Sequence, residues 1–363
     1  MAYIAQTLNE AMKRRASDIH FEPHANGLRI RQRIDGFLVE TDQVALRDAA
    51  AILSRLKIMG NLDIGEKRVP QDGTLTFTQL EGSYDIRIST IPTIYGEKIV
   101  LRLIKNEAVV NSLDDLGMTS NQLKMTKQLL KQASGLVIAT GPTGSGKTTT
   151  LYAMLKALNG VERNIITLED PVELQIDGLN QVQIHPKAGL TFAKGLRAAL
   201  RQDPDIIMIG EIRDRETADI AIGAALTGHL VLTTLHTSDG ASVVTRLLDM
   251  KIESYRVAAA LAGVIAQRLL RLICKHCNGD RCERCGQIGY FGRTGAFEVV
   301  TVDDGFRKLI VEHAPLDQLR NYLRDQGIPS LKESIQQKVQ EGHTTVDEYL
   351  RVVSDAEASF LEV

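Results

Sequence analysis

Residues 136–149 read Leu136-Val137-Ile138-Ala139-Thr140-Gly141-Pro142-Thr143-Gly144-Ser145-Gly146-Lys147-Thr148-Thr149. A short continuous apolar run leads into a glycine-rich turn. The turn leads into Thr150-Leu151-Tyr152-Ala153-Met154-Leu155, which reads as a helix. Every position of the pattern G-x-x-x-x-G-K-[ST] is met between Gly141 and Thr148, in the strand-then-helix setting that its chemistry needs. Gly144 and Gly146 let the backbone wrap so that several N–H groups face one anion. The helix that follows adds the positive end of its dipole. Lys147 then neutralises β- and γ-phosphate charge, and the Thr148 hydroxyl is suited to ligate Mg²⁺, so the expected ligand is ATP with Mg²⁺.

Outward from this loop, three more short apolar runs recur: Asn164-Ile165-Ile166-Thr167-Leu168, Ile206-Ile207-Met208-Ile209 and Leu230-Val231-Leu232-Thr233. Helical segments separate them. Continuous apolar strands alternating with helices predict an α/β domain around a parallel sheet covered on both faces. Upstream the pattern changes. Residues 3–16 have helical spacing, and residues 43–59 also read as a helix. Strand-like alternation runs through Leu28–Val39 and 74–104, with an Asp35-Gly36 hairpin turn. The predicted organisation is a small α+β domain over 1–105, a polar linker over 106–115, and an ATPase domain over 116–303 carrying a Cys-rich insertion at 274–285. A helical subdomain and tail follow over 304–363.

Two acidic strand ends suit the metal-holding and water-orienting roles that a phosphate loop needs. One is Glu211, after Ile206-Ile207-Met208-Ile209-Gly210; the other is Glu169, in Thr167-Leu168-Glu169-Asp170-Pro171-Val172-Glu173. Spacing does not say which acid polarises water. His229 and His236 bracket the run Leu230–Leu235, and each is read as a phosphate sensor, an acid's partner or a structural histidine. Arg87, Arg102, Arg197 and Arg201 are candidates to meet transferring charge, against the plainer reading of surface arginines. Cys274, Cys277, Cys282 and Cys285 form two C-x-x-C knuckles four residues apart. A structural Cys₄ zinc is the expectation, with an Fe–S site or a disulfide pair as alternatives.

Bulk composition narrows the rest. The 363 residues are 24% charged with a formal net charge of −2, and aromatic residues make up 4% with no Trp. Nothing in that balance asks for a nucleic-acid surface or a base-stacking platform, so no direct nucleic-acid contact is expected. No run of 18 apolar residues exists, and the first residues do not have the form of a secretory signal.

Together these stretches resemble the secretion ATPases of the type II secretion and type IV pilus assembly superfamily. The resemblance is carried by Ala16-Ser17-Asp18-Ile19-His20-Phe21-Glu22-Pro23, Arg33-Ile34-Asp35-Gly36, Pro70-Gln71-Asp72-Gly73, Arg87 to Thr93 and Gly96-Glu97. The phosphate loop, the acidic stretch Thr167–Glu173, Gly210 to Thr217 and the histidine stretch Gly228–Thr237 complete it. It implies a PAS-like first domain, a RecA-like ATPase domain and a homo-hexameric ring acting as an ATP hydrolase. Glu211 takes the position of the catalytic glutamate, with Glu169 as a second important acid, and the four arginines match phosphate-facing positions. The implied setting is the cytoplasmic face of the inner membrane, on a polytopic platform protein that inserts pilin or pseudopilin subunits. The cysteines resemble those of assembly motors rather than retraction motors. The start at the PAS-like part and the short inter-knuckle span resemble the competence-pseudopilus branch. A RecA-like nucleic-acid translocase and a pilus retraction ATPase are the alternatives.

Overall fold

In the first domain, strands that alternate buried and exposed side chains can only form a sheet with one covered face. The computed structural model, which describes residues 2–79, 82–105 and 112–358, shows that sheet. Its elements are α1 (Ala2–Lys13), β1 (Ala16–His24), β2 (Gly27–Ile34), β3 (Phe37–Ala45), α2 (Leu46–Met59), β4 (Gln71–Gln79), β5 (Gly82–Thr93) and β6 (Gly96–Lys105). The strand order is β3-β2-β1-β6-β5-β4, with antiparallel pairing throughout. Ile19, Phe21, Leu28, Ile30, Ile86, Ile88, Ile99 and Leu101 point to one side and pack with Ile4 and Leu8 of α1 and Leu56 of α2. The first helix is shorter than its sequence pattern: Arg15 takes a left-handed φ of 58° and turns the chain into β1. The second begins at Leu46 rather than 43, because Gln43, Val44 and Ala45 still pair with β2.

The second sheet belongs to a longer series: α3 (Ser120–Leu129), β7 (Gly135–Thr140), α4 (Lys147–Leu158), β8 (Ile165–Glu169), β9 (Asn180–Gln183), α5 (Phe192–Ala199), β10 (Ile206–Ile209), α6 (Arg215–Leu226), β11 (Leu230–Leu235), α7 (Gly240–Asp249), α8 (Ser254–Ala260), β12 (Leu261–Ile273) and β13 (Tyr290–Thr301). Four helices follow: α9 (Asp304–Val311), α10 (Leu316–Asp325), α11 (Leu331–Gln340) and α12 (Val346–Ala358). The sheet order is β13-β12-β7-β11-β10-β8-β9, and β12, β7, β11, β10, β8 and β9 run parallel. Burial on both faces explains the unbroken apolar runs. Leu136, Ile138, Ile207, Ile209, Val231 and Leu235 enter one core with α5, α6 and α7. Their sequence neighbours Val137, Ala139, Ile206, Met208, Leu230 and Leu232 enter another with α4. No helix among the described residues is long and apolar enough to cross a membrane.

Two differences from the expected organisation stand out. The compact units are Met1–Val109 with Cys274–Gly292, and Val110–Ile273 with Arg293–Val363. The cysteine segment therefore packs with the first domain, although the chain enters it from β12 and leaves it through β13. Long strands β12 and β13, which flank it, had no expected counterpart. Residues 106–111 of the expected linker lie outside the described residues.

Inside the first unit, Lys57 is almost wholly buried, and its ammonium is held by the Glu97 carboxylate at 2.7 Å and the Glu66 carbonyl at 2.6 Å. Removing one partner of a buried ion pair leaves an uncompensated charge. Glu97→Leu is expected to lower the stability of the first unit by about 3 kcal/mol, read as a lower urea midpoint for its unfolding. An unchanged midpoint would show that the pair contributes nothing net.

Candidate active site

The parallel register fixes where the loops of the second unit meet. Leu235 of β11 pairs with Thr140 of β7, Thr233 of β11 with Ile209 of β10, and Ile209 with Leu168 of β8. The carboxyl ends of four strands are thus level. The phosphate loop, His236, Glu211 and Glu169 all emerge at that one edge, where open α/β sheets place their ligands.

The loop itself is built for an anion. Gly141, Gly144 and Gly146 have φ of 149°, 79° and 90°. At Gly141 a Cβ would stand 2.6 Å from the Gln267 carbonyl oxygen and 2.6 Å from Ser145 Oγ, so no side chain fits. Gly146 opens α4 without a side-chain cap. By contrast Thr191, Asp214 and Asp239 cap α5, α6 and α7 with their side chains. The first N–H groups of α4 are left to a ligand, beside the positive end of the helix dipole. Gln267 of β12 donates to the Ser145 carbonyl at 2.7 Å and holds the loop from below. Pro142 and Thr143 complete the turn, and Thr148 and Thr149 form the first turn of α4 with Lys147.

Lys147 donates to the carbonyls of Gly141 at 2.7 Å and Pro142 at 3.0 Å, with His236 Nδ1 3.5 Å away. Burial pulls its pKa down to about 8, with Glu211 opposing and Arg268 assisting. On the other side of His236, Nε2 lies 3.5 Å from Glu211 Oε2. Glu211 is also held by Arg213 through a short ion pair. Burial works against ionisation of Glu211, but the Arg213 hydrogen bond and charge, with His236, outweigh it and leave the carboxyl below its usual range. His236 is shifted down by burial and by Lys147. The result is a line of side chains, Lys147–His236–Glu211–Arg213, running from the loop to an ionised acid. A neutral imidazole between an ammonium and a carboxylate is able to accept from one and donate to the other.

Glu169 has a different environment. It is buried, and it accepts from Tyr152 of α4, from Thr167 Oγ1 at 2.5 Å and from Gln181 Nε2 at 3.0 Å. Burial and the hydrogen bond to Glu169 raise the pKa of Tyr152. Three protein donors leave this acid tied to the position of α4 rather than open to water.

The histidines separate. His229 precedes β11, at the edge of the sheet opposite the phosphate loop, with Nδ1 3.0 Å from the Ala224 carbonyl. Seven residue steps of extended chain put it about 23 Å from His236. It does not join the site of its own chain. Arg197 and Arg201 do not either: Arg197 pairs with Glu216 at 2.8 Å, and Arg201 donates to the Arg197 carbonyl at 2.7 Å. Arg197 lies on the exposed stripe of α5 and Arg201 in the exposed turn just after it, on the way to the start of β10. Arg87 and Arg102 stand directly opposite each other on β5 and β6 of the first unit, where Arg102 also donates to Asp18 at 2.9 Å.

The sequence pattern alone does not single out the residues that support the site. Thr140 Oγ1 accepts from Thr237 N at 2.9 Å and meets Thr237 Oγ1 at 2.8 Å, while Thr234 Oγ1 donates to the Gly210 carbonyl at 2.7 Å. Each fixes a strand end that carries a functional residue. Polar residues at or next to the ends of apolar strands, Thr140 and Thr234, and Gln267 within Leu261–Leu270, are the available signal.

The cysteines are all unbridged, and their four sulfurs lie within 4.8 Å of one another. The Sγ pairs Cys274–Cys282, Cys277–Cys285 and Cys282–Cys285 are 4.0, 3.9 and 3.7 Å apart. A disulfide needs about 2.05 Å. Four sulfurs about 2.3 Å from one tetrahedral ion would lie about 3.8 Å apart, so the set fits a closed Cys₄ zinc site. Cys282 N and Gly289 N donate to Cys285 Sγ at 3.2 and 3.3 Å, which favours a thiolate there.

A phosphate loop at the carboxyl edge of a parallel sheet, with an ionised acid beside it, defines a P-loop nucleotide-hydrolase site. The sequence matches the "Type II/IV secretion system protein" family over residues 1–351, and the chain belongs to that family. It is 48% identical over 359 residues to the type II secretion system protein HxcR of Pseudomonas aeruginosa, covering 96% of this chain and 76% of that one. It is 43% identical over 375 residues to the type IV pilus assembly ATPase PilB of Thermus thermophilus, covering 96% of this chain and 42% of that one. The fold is similar to that of the Legionella pneumophila ATPase DotB, with a TM-score of 0.76 at 22% identity over 98% of this chain and 96% of that one.

Phosphate favours the protonated form of Lys147. With its pKa drawn down to about 8, the ammonium is fully present at pH 7 and largely lost above pH 8. Binding of a non-hydrolysable ATP analogue is expected to take up a proton at pH 8.5 but little at pH 7, and to weaken as pH rises through 8. Calorimetry in two buffers of different ionisation heat reads this directly. Equal proton uptake at both pH values would place Lys147 outside the titration.

Proposed function

We propose that this chain is an ATP-hydrolysing motor subunit that works as a homo-hexamer and drives assembly of a pilus-like or pseudopilus fibre. The observation that carries the reading is the line Lys147–His236–Glu211, which joins the phosphate loop to an ionised acid at the sheet's carboxyl edge. In this mechanism the N–H groups of the loop and Lys147 bind the β- and γ-phosphates of ATP. Glu211, ionised at neutral pH, orients and polarises the attacking water. His236 lies between the two and is placed to register the γ-phosphate. Thr148 would hold Mg²⁺, which when bound neutralises charge on the phosphates. Glu169 acts through Tyr152, holding the helix that begins with Lys147.

The remaining arginines fit a shared site. Arg87 and Arg102 are a cross-strand cationic pair suited to phosphate, and Arg197, Arg201 and His229 lie away from the loop of their own chain. In a ring, such groups are supplied to a nucleotide bound by another domain or subunit. The relatives' names support fibre-linked secretion, and the four-cysteine site favours assembly over retraction. On this reading the motor docks at the cytoplasmic face of the inner membrane on a polytopic platform protein that handles pilin or pseudopilin subunits. The short span between the two knuckles favours the competence-pseudopilus branch as the second reading.

Turnover should require self-association. The Mg²⁺-dependent ATPase rate per subunit is expected to rise with protein concentration and to ignore single-stranded and duplex DNA. Glu211→Gln should lower it by about a hundredfold or more while nucleotide binding survives. Many-fold stimulation by DNA would instead favour a nucleic-acid translocase.

A further inference from the structure

We propose that the metal-loaded cysteine knuckle is a clasp: zinc shapes it so that it grips the first domain, and that grip in turn tightens zinc binding. The proposal rests on the zinc reading of the four cysteines. It concerns residues that do not touch the metal.

The knuckle and the first domain form one compact unit, Met1–Val109 with Cys274–Gly292. The chain reaches the knuckle from β12 and leaves it along β13, so a segment enclosed by two strands of the ATPase sheet is packed elsewhere. The contacts are specific. Ile288 packs against the first domain's apolar core. Arg15, at the corner between α1 and β1, pairs with Asp35 of the β2–β3 turn at 3.0 Å. The same Asp35 oxygen accepts from Gly292 N at 3.1 Å. The Arg15 guanidinium lies 3.8 Å from the centroid of the Phe291 ring, a cation–π contact, and the Arg284 guanidinium lies 5.2 Å from it. Asp35 reaches this position because the left-handed Asp35-Gly36 turn, with φ of 46° and 93°, sets it beside Arg15.

The metal matters because the knuckle has little else to hold its shape. Its apolar side chains besides the cysteines are Ile288, Tyr290 and Phe291, all at one end, and the remainder is polar or glycine. A segment of this kind takes its folding free energy from the metal. The ligand Cys285 stands three residues before Ile288, and Cys274 N donates to the Gly289 carbonyl at 2.9 Å, so the ligands and the gripping residues share one backbone frame. If zinc fixes the frame and the frame fits the first domain, each must raise the affinity for the other.

The test uses the full chain. Zinc affinity is measured by competition with a chromogenic chelator in wild type, Arg15→Ala and Phe291→Ala. Amide hydrogen exchange at residues 12–18 and 33–37 is followed in wild type before and after zinc is stripped. The clasp predicts that both variants bind zinc at least about fivefold more weakly, although neither residue is a ligand. It also predicts faster exchange at both segments once zinc is gone. If wild type and variants hold zinc equally and stripping leaves exchange in the first domain unchanged, the clasp is wrong and the zinc site stands. A wild-type chain that binds no zinc overturns the metal reading itself.

Discussion

The level register of the parallel strands is the constraint on which the site depends. Backbone pairing of β7, β11, β10 and β8 brings four chain segments, distant in sequence, to one edge. A slip of one residue would turn every side chain of the slipped strand into the opposite core. The two cores prevent that, because alternate residues of each strand are already committed to α4 on one face or to α5, α6 and α7 on the other. Packing thus sets the distance between Lys147 and Glu211, and the threonines at the strand ends lock the last turn of backbone in place.

At that edge the charges are arranged by contrast. Lys147 is pushed toward neutrality by burial, whereas Arg213 keeps Glu211 ionised, and His236 stands between them. An anionic ligand reverses the first of these tendencies, because phosphate supplies the negative charge that burial has withheld. Above pH 8 such a group takes up a proton when phosphate arrives, whereas at pH 7 it is already charged and only its hydrogen bonding changes. The same His236 stands 3.5 Å from the acid, and in the proposed mechanism it carries that change to Glu211. Glu169 has the opposite character: fully satisfied within the protein, it fixes the helix rather than meeting the water.

Much of this was legible in the sequence because it is local. The phosphate loop, the four core strands and the two acidic strand ends are each written in a few consecutive residues. What was not legible is tertiary. His229 and His236 look alike in sequence, but a strand between them sends one to each edge of the sheet. Arg197 reads as a phosphate ligand by resemblance, yet its own helix turns it toward Glu216. The strand Leu261–Ile273 has no clear sequence signature because it continues directly from the apolar helix Ser254–Ala260 and contains Gln267 and Arg268. Nor does a C-x-x-C spacing say which domain its knuckle packs against; that depends on Arg15 and Asp35, more than two hundred residues away.

In the proposed mechanism His236 and Arg213 act on catalysis through one carboxylate, Glu211. A double-mutant cycle on kcat with His236→Asn and Arg213→Ala measures this most directly. Groups that hold a single acid are lost together, so the double variant should be little slower than the worse single variant. Two losses that multiply independently would show that the residues work on separate steps, and the line from the phosphate loop to the acid would not be a functional unit.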